Sequence, residues 1–164
     1  MNQTTFTAPA MIALSNPNML DVPVTEWFTE LSADVQADII EMVNEAGYPL
    51  SDIRDFIEQY GVEAYSNGHY VTWCQLTEEL GATNDAIEAY VDEVGINYIS
   101  SFEDDFVGEY ESEEDFARSY FDGNYHNIDV LEDNGVVIDW QATWDSNLSH
   151  HYAYNNGFVF NTNN

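Results

Sequence analysis

Eight carboxylates fall between Glu103 and Asp115 in the stretch FEDDFVGEYESEED, and the chain carries 31 Asp and Glu in all against two arginines, Arg54 and Arg118. Carboxylates at that density can do three things: hold a cation, pass protons as acid–base pairs, or project a negative field. Cation binding has the strictest spacing. An EF-hand loop needs a carboxylate at its first and last positions around a central glycine. With Gly135 as that glycine, the first position falls on Val130 and the last on Gln141, so the motif fails. Loose divalent binding by the clustered acids is left as an alternative. His150 and His151 are adjacent, not four apart, so one helical face cannot present both imidazoles, and Cys74 is the only cysteine. Acid–base catalysis needs a carboxyl whose pKa is shifted by its neighbours. Among 31 acids some pair always lies at a suitable distance, so pairing alone selects no residue. No glycine-rich phosphate loop, nucleophile elbow or zinc-protease motif is present. The chain is therefore expected to be no enzyme, to bind no metal at a dedicated site and to need no cofactor.

The field is what remains. The formal net charge is −29 and lysine is absent. Thirteen acids lie in residues 1–82 and eighteen in 83–164, so the charge is not an appended tail. A hydrophobic share of 45% and an aromatic share of 15% supply a core that a disordered acidic segment would lack. Such a field repels nucleic acid and anionic membranes, and attracts basic surfaces over a Debye length, about 8 Å at physiological salt. The expected partner is a basic protein, with no nucleic acid and no membrane bound. A halophile-adapted acidic interaction protein would share this composition, because high net charge also maintains solubility. No stretch approaches the ~20 apolar residues of a membrane span, and the N-terminal MNQTTFTAPAMIALSNPN lacks a basic n-region. With a single cysteine, these features set the expectation of a cytoplasmic protein, in the host's cytoplasm if phage-encoded.

The acids need elements to hold them. Ser32 reads as the N-cap and Gly47 as the stop of a helix whose apolar face is Val35, Ile39, Met42 and Val43. Asp34, Asp38, Glu41 and Glu45 form an acidic stripe on another face of it. SDIRDFIEQYG repeats the design to Gly61, HYVTWCQLTEELG follows a Ser66-Asn67-Gly68 turn, and NDAIEAYVDEVG ends at Gly95. Two acidic-aromatic helices are expected next, one capped by Ser100 with Glu103, the other by Ser112 with Asp115. Asn134-Gly135 and Asn156-Gly157 each carry the signal of a tight hairpin, with a short helix through Trp140, Trp144 and Leu148 between them. The fold class expected is α+β, mainly helical to about residue 121, with a small C-terminal antiparallel sheet.

Like charges four apart destabilise a helix by about 0.2–0.5 kcal/mol each, so the stripes oppose folding and ask for a function. Four acids across eleven residues of helix span about 16 Å. B-DNA presents one phosphate per ~3.4 Å of each strand. At ~1.7 Å of axis per phosphate, 29 net charges equal those on about 49 Å of duplex.

The opening stretch, extended to FVGEYESEEDFARSYFDG and followed by VIDWQATWDSNL and a terminal YNNGFVF, resembles the C-terminal half of the ArdA antirestriction proteins. The resemblance covers about residues 87–160, and its three segments arrive in the family's order. It implies a DNA mimic without catalytic activity that fills the DNA-binding groove of a type I restriction-modification enzyme. Another DNA-handling target, a polymerase or a CRISPR effector, is the alternative. Carried over by position, Glu109, Glu111, Glu113, Glu114, Asp115 and Asp139 match the family's acidic positions. Gly108, Tyr110, Phe116, Trp140 and Gly157 match positions expected to shape the fold. With the stripe and with Glu103, Asp104 and Asp105 these acids make up the candidate mimic surface. The family's habit leaves homodimerisation open. On this reading residues 1–22 are a flexible arm, 23–82 a helical domain and 83–164 an ArdA-like α+β domain.

Overall fold

The computed structural model describes residues 26–124 and 127–163, so the expected N-terminal arm lies outside the described residues. The chain divides into two compact units, one ending at Tyr70 and the other beginning at Val71. The boundary drawn from composition lies further along, at 82/83.

In the first unit, α1 (Glu26–Glu30) precedes α2 (Ala33–Glu41). Ser32 caps α2 as its sequence suggests: the Val35 N–H donates to the Ser32 hydroxyl at 3.4 Å. The helix widens into a π-helical turn, Met42–Ala46, and stops at Gly47, whose φ of +79° is open to glycine and strained for other residues. α3 (Leu50–Ser66) is broken at Gly61, where φ +90° and ψ 159° leave helical space, as the glycine punctuation predicts. Ile39, Val43, Ile53, Phe56, Ile57 and Tyr65 form the buried side of these helices. Tyr70, at the start of α4 (His69–Glu78), packs edge-on against Phe56 at 5.3 Å.

In the second unit α5 (Asn84–Val94), capped by Thr83, leads through a 3₁₀ segment (Ile96–Ser101) into α6 (Phe102–Asp105). Here the structure departs from expectation. The residues after Asp105 form β1 (Phe106–Glu109) where the helix starting near Ser100 was expected to continue, and no Ser100 capping box forms. The chain continues with α7 (Glu113–Asn124), α8 (Ile128–Asp133), α9 (Trp140–Thr143) extended by a π-helical turn (Trp144–Leu148), β2 (Tyr152–Asn155) and β3 (Phe158–Asn161). The sheet order is β1-β3-β2, antiparallel throughout, with a bulge where Val107 falls between the pairs Phe106–Phe160 and Gly108–Val159. The fold is mainly helical α+β with a small antiparallel sheet, and one of its strands comes from the acidic stretch.

The two Asn-Gly signals resolve differently. Asn156 and Gly157, at φ +52° and +93°, make the two-residue hairpin joining β2 to β3. Asn134-Gly135 instead ends α8. The Gly135 N–H donates to the Glu132 carbonyl at 2.9 Å and the Val136 N–H to the Leu131 carbonyl at 3.0 Å, which is a Schellman cap.

β3 is the hub of the unit. Phe160, on one face, meets Tyr90 edge-on at 5.3 Å and Phe102 at 6.3 Å. Val159, on the other, joins Phe116, Ala117, Trp144 and Leu148 in a buried cluster edged by Tyr110, Trp140 and Tyr152. The aromatics interleaved with the acids are therefore the core that the acids surround: Phe102 belongs to one face, Tyr110 and Phe116 to the other. Among the described residues no helix is long and apolar enough to cross a membrane.

Candidate partner-binding surfaces

On the first unit Asp34, Asp38 and Glu41 stand exposed on α2, and Glu45 follows in the π-helical turn. The wider turn moves Glu45 off the line that regular helix spacing gives. Asp38 also has an internal role, because the Tyr65 hydroxyl donates to its Oδ2 at 2.7 Å.

On the second unit the candidate acids sort into three kinds. Glu103 and Asp104 on α6, Glu109 on β1, Glu111 in the following loop and Glu114 on α7 are exposed. Glu113, Asp115 and Asp139 are tied to the scaffold. Gln141 donates to Glu113 at 2.8 Å, Asp115 accepts from the Glu111 N–H at 3.3 Å, and Asp139 caps α9 by accepting from the Ala142 N–H at 2.9 Å. Ser112 supplies the other half of the α7 cap, accepting from the Asp115 N–H at 3.1 Å. The reciprocal bond of a capping box thus forms one residue early, on Glu111.

Asp105 is the correction. It is only 4% exposed, and the fully buried Tyr90 donates to its Oδ2 at 2.7 Å. A carboxylate so placed cannot present its charge to a partner, and it leaves the candidate surface. Desolvation of a carboxylate costs several kcal/mol, and the phenol bond offsets part of it.

Sequence reasoning also passed over acids of the same kind. Asp85, Glu88, Asp92 and Glu93 are exposed on α5, whose opposite face buries Ala86, Ile87, Ala89 and Tyr90. The i, i+3, i+7 spacing of Asp85, Glu88 and Asp92 was the signal that could have found them. Both arginines are paired with acids: Arg54 with Asp55 at 2.8 Å and Glu58 at 3.7 Å, and Arg118 on α7 with Asp129 at 3.3 Å and Glu132 at 2.9 Å on α8. Neither offsets the field beyond its own neighbours. Among the described residues no group of three or more His, Cys, Asp or Glu could hold a metal ion. His151 contacts Asn163 at 2.8 Å, and Cys74 is half-buried.

Burial raises the phenol pKa of Tyr65 and Tyr90 well above the usual value, and the bonds to Asp38 and Asp105 raise them further. A folded-state pKa above the unfolded value means that this stabilisation is complete below about pH 10 and is lost as pH climbs through the folded value. Thermal midpoints are accordingly expected to hold steady from neutral pH to about 9.5 and to fall above about 10. Tyr65→Phe and Tyr90→Phe should flatten the alkaline limb, each in its own unit. A limb unchanged in both variants would show that other groups set it.

Compared with protein-family models, with curated proteins and with solved structures, the chain matches none.

Proposed function

We propose that this protein is a DNA mimic: an acidic, folded inhibitor that occupies the DNA-binding groove of a basic host protein, with a type I restriction-modification enzyme as first candidate. The observation that carries the reading is the sorting of charge. From Glu30 to Asp145 every described carboxylate except Asp105, Glu113 and Glu132 is exposed, the two arginines are paired with acids, and Phe102, Phe116, Trp144 and Phe160 are turned inward. Acids held on helices, a strand and capped turns keep fixed spacing, as phosphates on a duplex do. A disordered acidic chain would lose conformational entropy on binding to reach the same arrangement. The ArdA-like motif supports the choice of target, since Glu109, Glu111 and Glu114 are three of its matched acids and all three are exposed.

The test is capture and competition. Tagged protein incubated with lysate of a host carrying a type I system is expected to retain the restriction-modification complex. Duplex DNA should displace it, with affinity falling steeply as salt rises. Simultaneous binding of DNA and this protein to the captured complex would refute mimicry. Capture of no partner, with folding only at molar salt, would favour the halophile reading.

A further inference from the structure

Four exposed apolar side chains of the second unit lie in one short segment: Val130 at 56% exposure, Leu131 at 43%, Val136 at 46% and Val137 at 94%. The Schellman cap of α8 brings two of them, Leu131 and Val136, together. Gly135, at φ +84°, turns the chain so that the Val136 N–H reaches the Leu131 carbonyl, the geometry that sets these two side chains side by side. Nothing about helix capping requires the next residue, Val137, to be apolar and almost fully exposed. Around the segment stand Asp129, Glu132, Asp133 and Asp139, with Arg118 paired to the first two, so the rim keeps a net of three negative charges.

An exposed apolar cluster with a charged rim marks an interaction surface. The charge selects its occupant. A second copy would bring another net charge of −29 against the first, whereas a cationic surface is drawn in. We propose that Val130–Val137 is an apolar anchor for an amphipathic, basic segment of the partner, whose apolar side chains cover the valines while its Lys and Arg meet the acidic rim. The inference rests on the DNA-mimic reading and adds what a field alone lacks, a contact that screening does not weaken. Burying two valines contributes on the order of tenfold or more in affinity once ordering costs are met. With such an anchor the mimic would keep hold of its target at salt concentrations that release duplex DNA.

Two synthetic helical peptides of equal positive charge test it, one with leucines along the face opposite its lysines and one with glutamines there. Fluorescence titration of the full chain at low and high salt is expected to show at least a tenfold preference for the leucine peptide, and the preference should persist at high salt. The double variant Val136→Ser/Val137→Ser should bring the two peptides to parity. Val137→Ser alone, at a side chain with almost no packing to lose, should remove a substantial part of the preference with the circular dichroism unchanged. Equal affinity of the wild type for both peptides would overturn the anchor and leave the field reading standing. An undiminished preference in the variants would also overturn it, as would self-association of the wild type that the double variant abolishes. Failure of both peptides to bind even at low salt would overturn both readings.

Discussion

Neutralising Glu103, Asp104, Glu109, Glu111 and Glu114 together, as Gln or Asn, is expected to weaken binding to a basic partner by on the order of 10²–10³-fold, while any one change alone costs less than about fivefold. Each exposed carboxylate contributes up to about 1 kcal/mol against a cationic surface, and the contributions accumulate because no single one is structural. The set follows from the geometry. Glu113 and Asp115 lie in the same acidic run, yet Glu113 accepts from Gln141 and Asp115 completes the α7 cap, so replacing them would mix lost charge with lost stability. Asp105→Asn is the internal control. Asparagine still offers an oxygen to the Tyr90 hydroxyl, and the carboxylate it replaces is buried, so affinity should not change. Isothermal titration across a salt series reads all of these variants, and the five-fold variant should also show a shallower salt dependence. Loss of binding from one conservative change, with the fold intact, would defeat the collective-field account and direct attention to a discrete site.

Much of the architecture was legible because it is local. Ser32, Gly47, Gly61 and Gly95 mark helix boundaries through hydrogen bonds or dihedral angles that involve only near neighbours, and the structure uses each of them in that way. β1 was not legible. Phe106–Glu109 follows a helical turn and is followed by another acidic run, and its strand character comes from pairing with β3 some fifty residues later. Asp104 and Asp105 are equivalent in sequence. What separates them is Tyr90 on α5, packed edge-on against Phe102 at 5.4 Å, whose hydroxyl bonds to the second carboxylate. The Asn-Gly dipeptide shows the same limit. Beside Tyr152–Asn155 and Phe158–Asn161 it closes a hairpin, and after Ile128–Asp133 it caps a helix, because the choice depends on whether a partner strand is available to the residues that follow. Surface acids were therefore found by type and spacing, whereas their division into displayed, capping and buried needed contacts that sequence spacing does not encode.

Phe160→Ala is expected to unfold the whole second unit at temperatures where the wild type is folded. Truncating a fully buried phenylalanine costs about 3–5 kcal/mol, a large fraction of the ~5–15 kcal/mol by which a domain is stable. The loss should not stay on its own side of the sheet. Strands of four residues, three in number, cannot hold themselves, and this sheet depends on α5 and α6 packing Phe160 from one face while α7 and α9 pack Val159 from the other. If β3 loses its Phe160 contacts, its register with β1 and β2 loosens, and the cluster around Phe116 and Trp144 loses Val159 with it. Urea unfolding followed by the fluorescence of Trp140 and Trp144 should then show a lower midpoint for Phe160→Ala, coincident with the far-UV circular dichroism transition. Phe106→Ala, at a partly exposed ring stacked on Phe102 at 5.2 Å, should cost far less, about 1 kcal/mol. An unchanged tryptophan transition in Phe160→Ala beside an early loss of helix signal would mean that the two faces of β3 fold independently. The exposed acids on α6 and β1 would then sit on a separately stable element from those on α7, and the rigid spacing on which mimicry depends would hold only within each element.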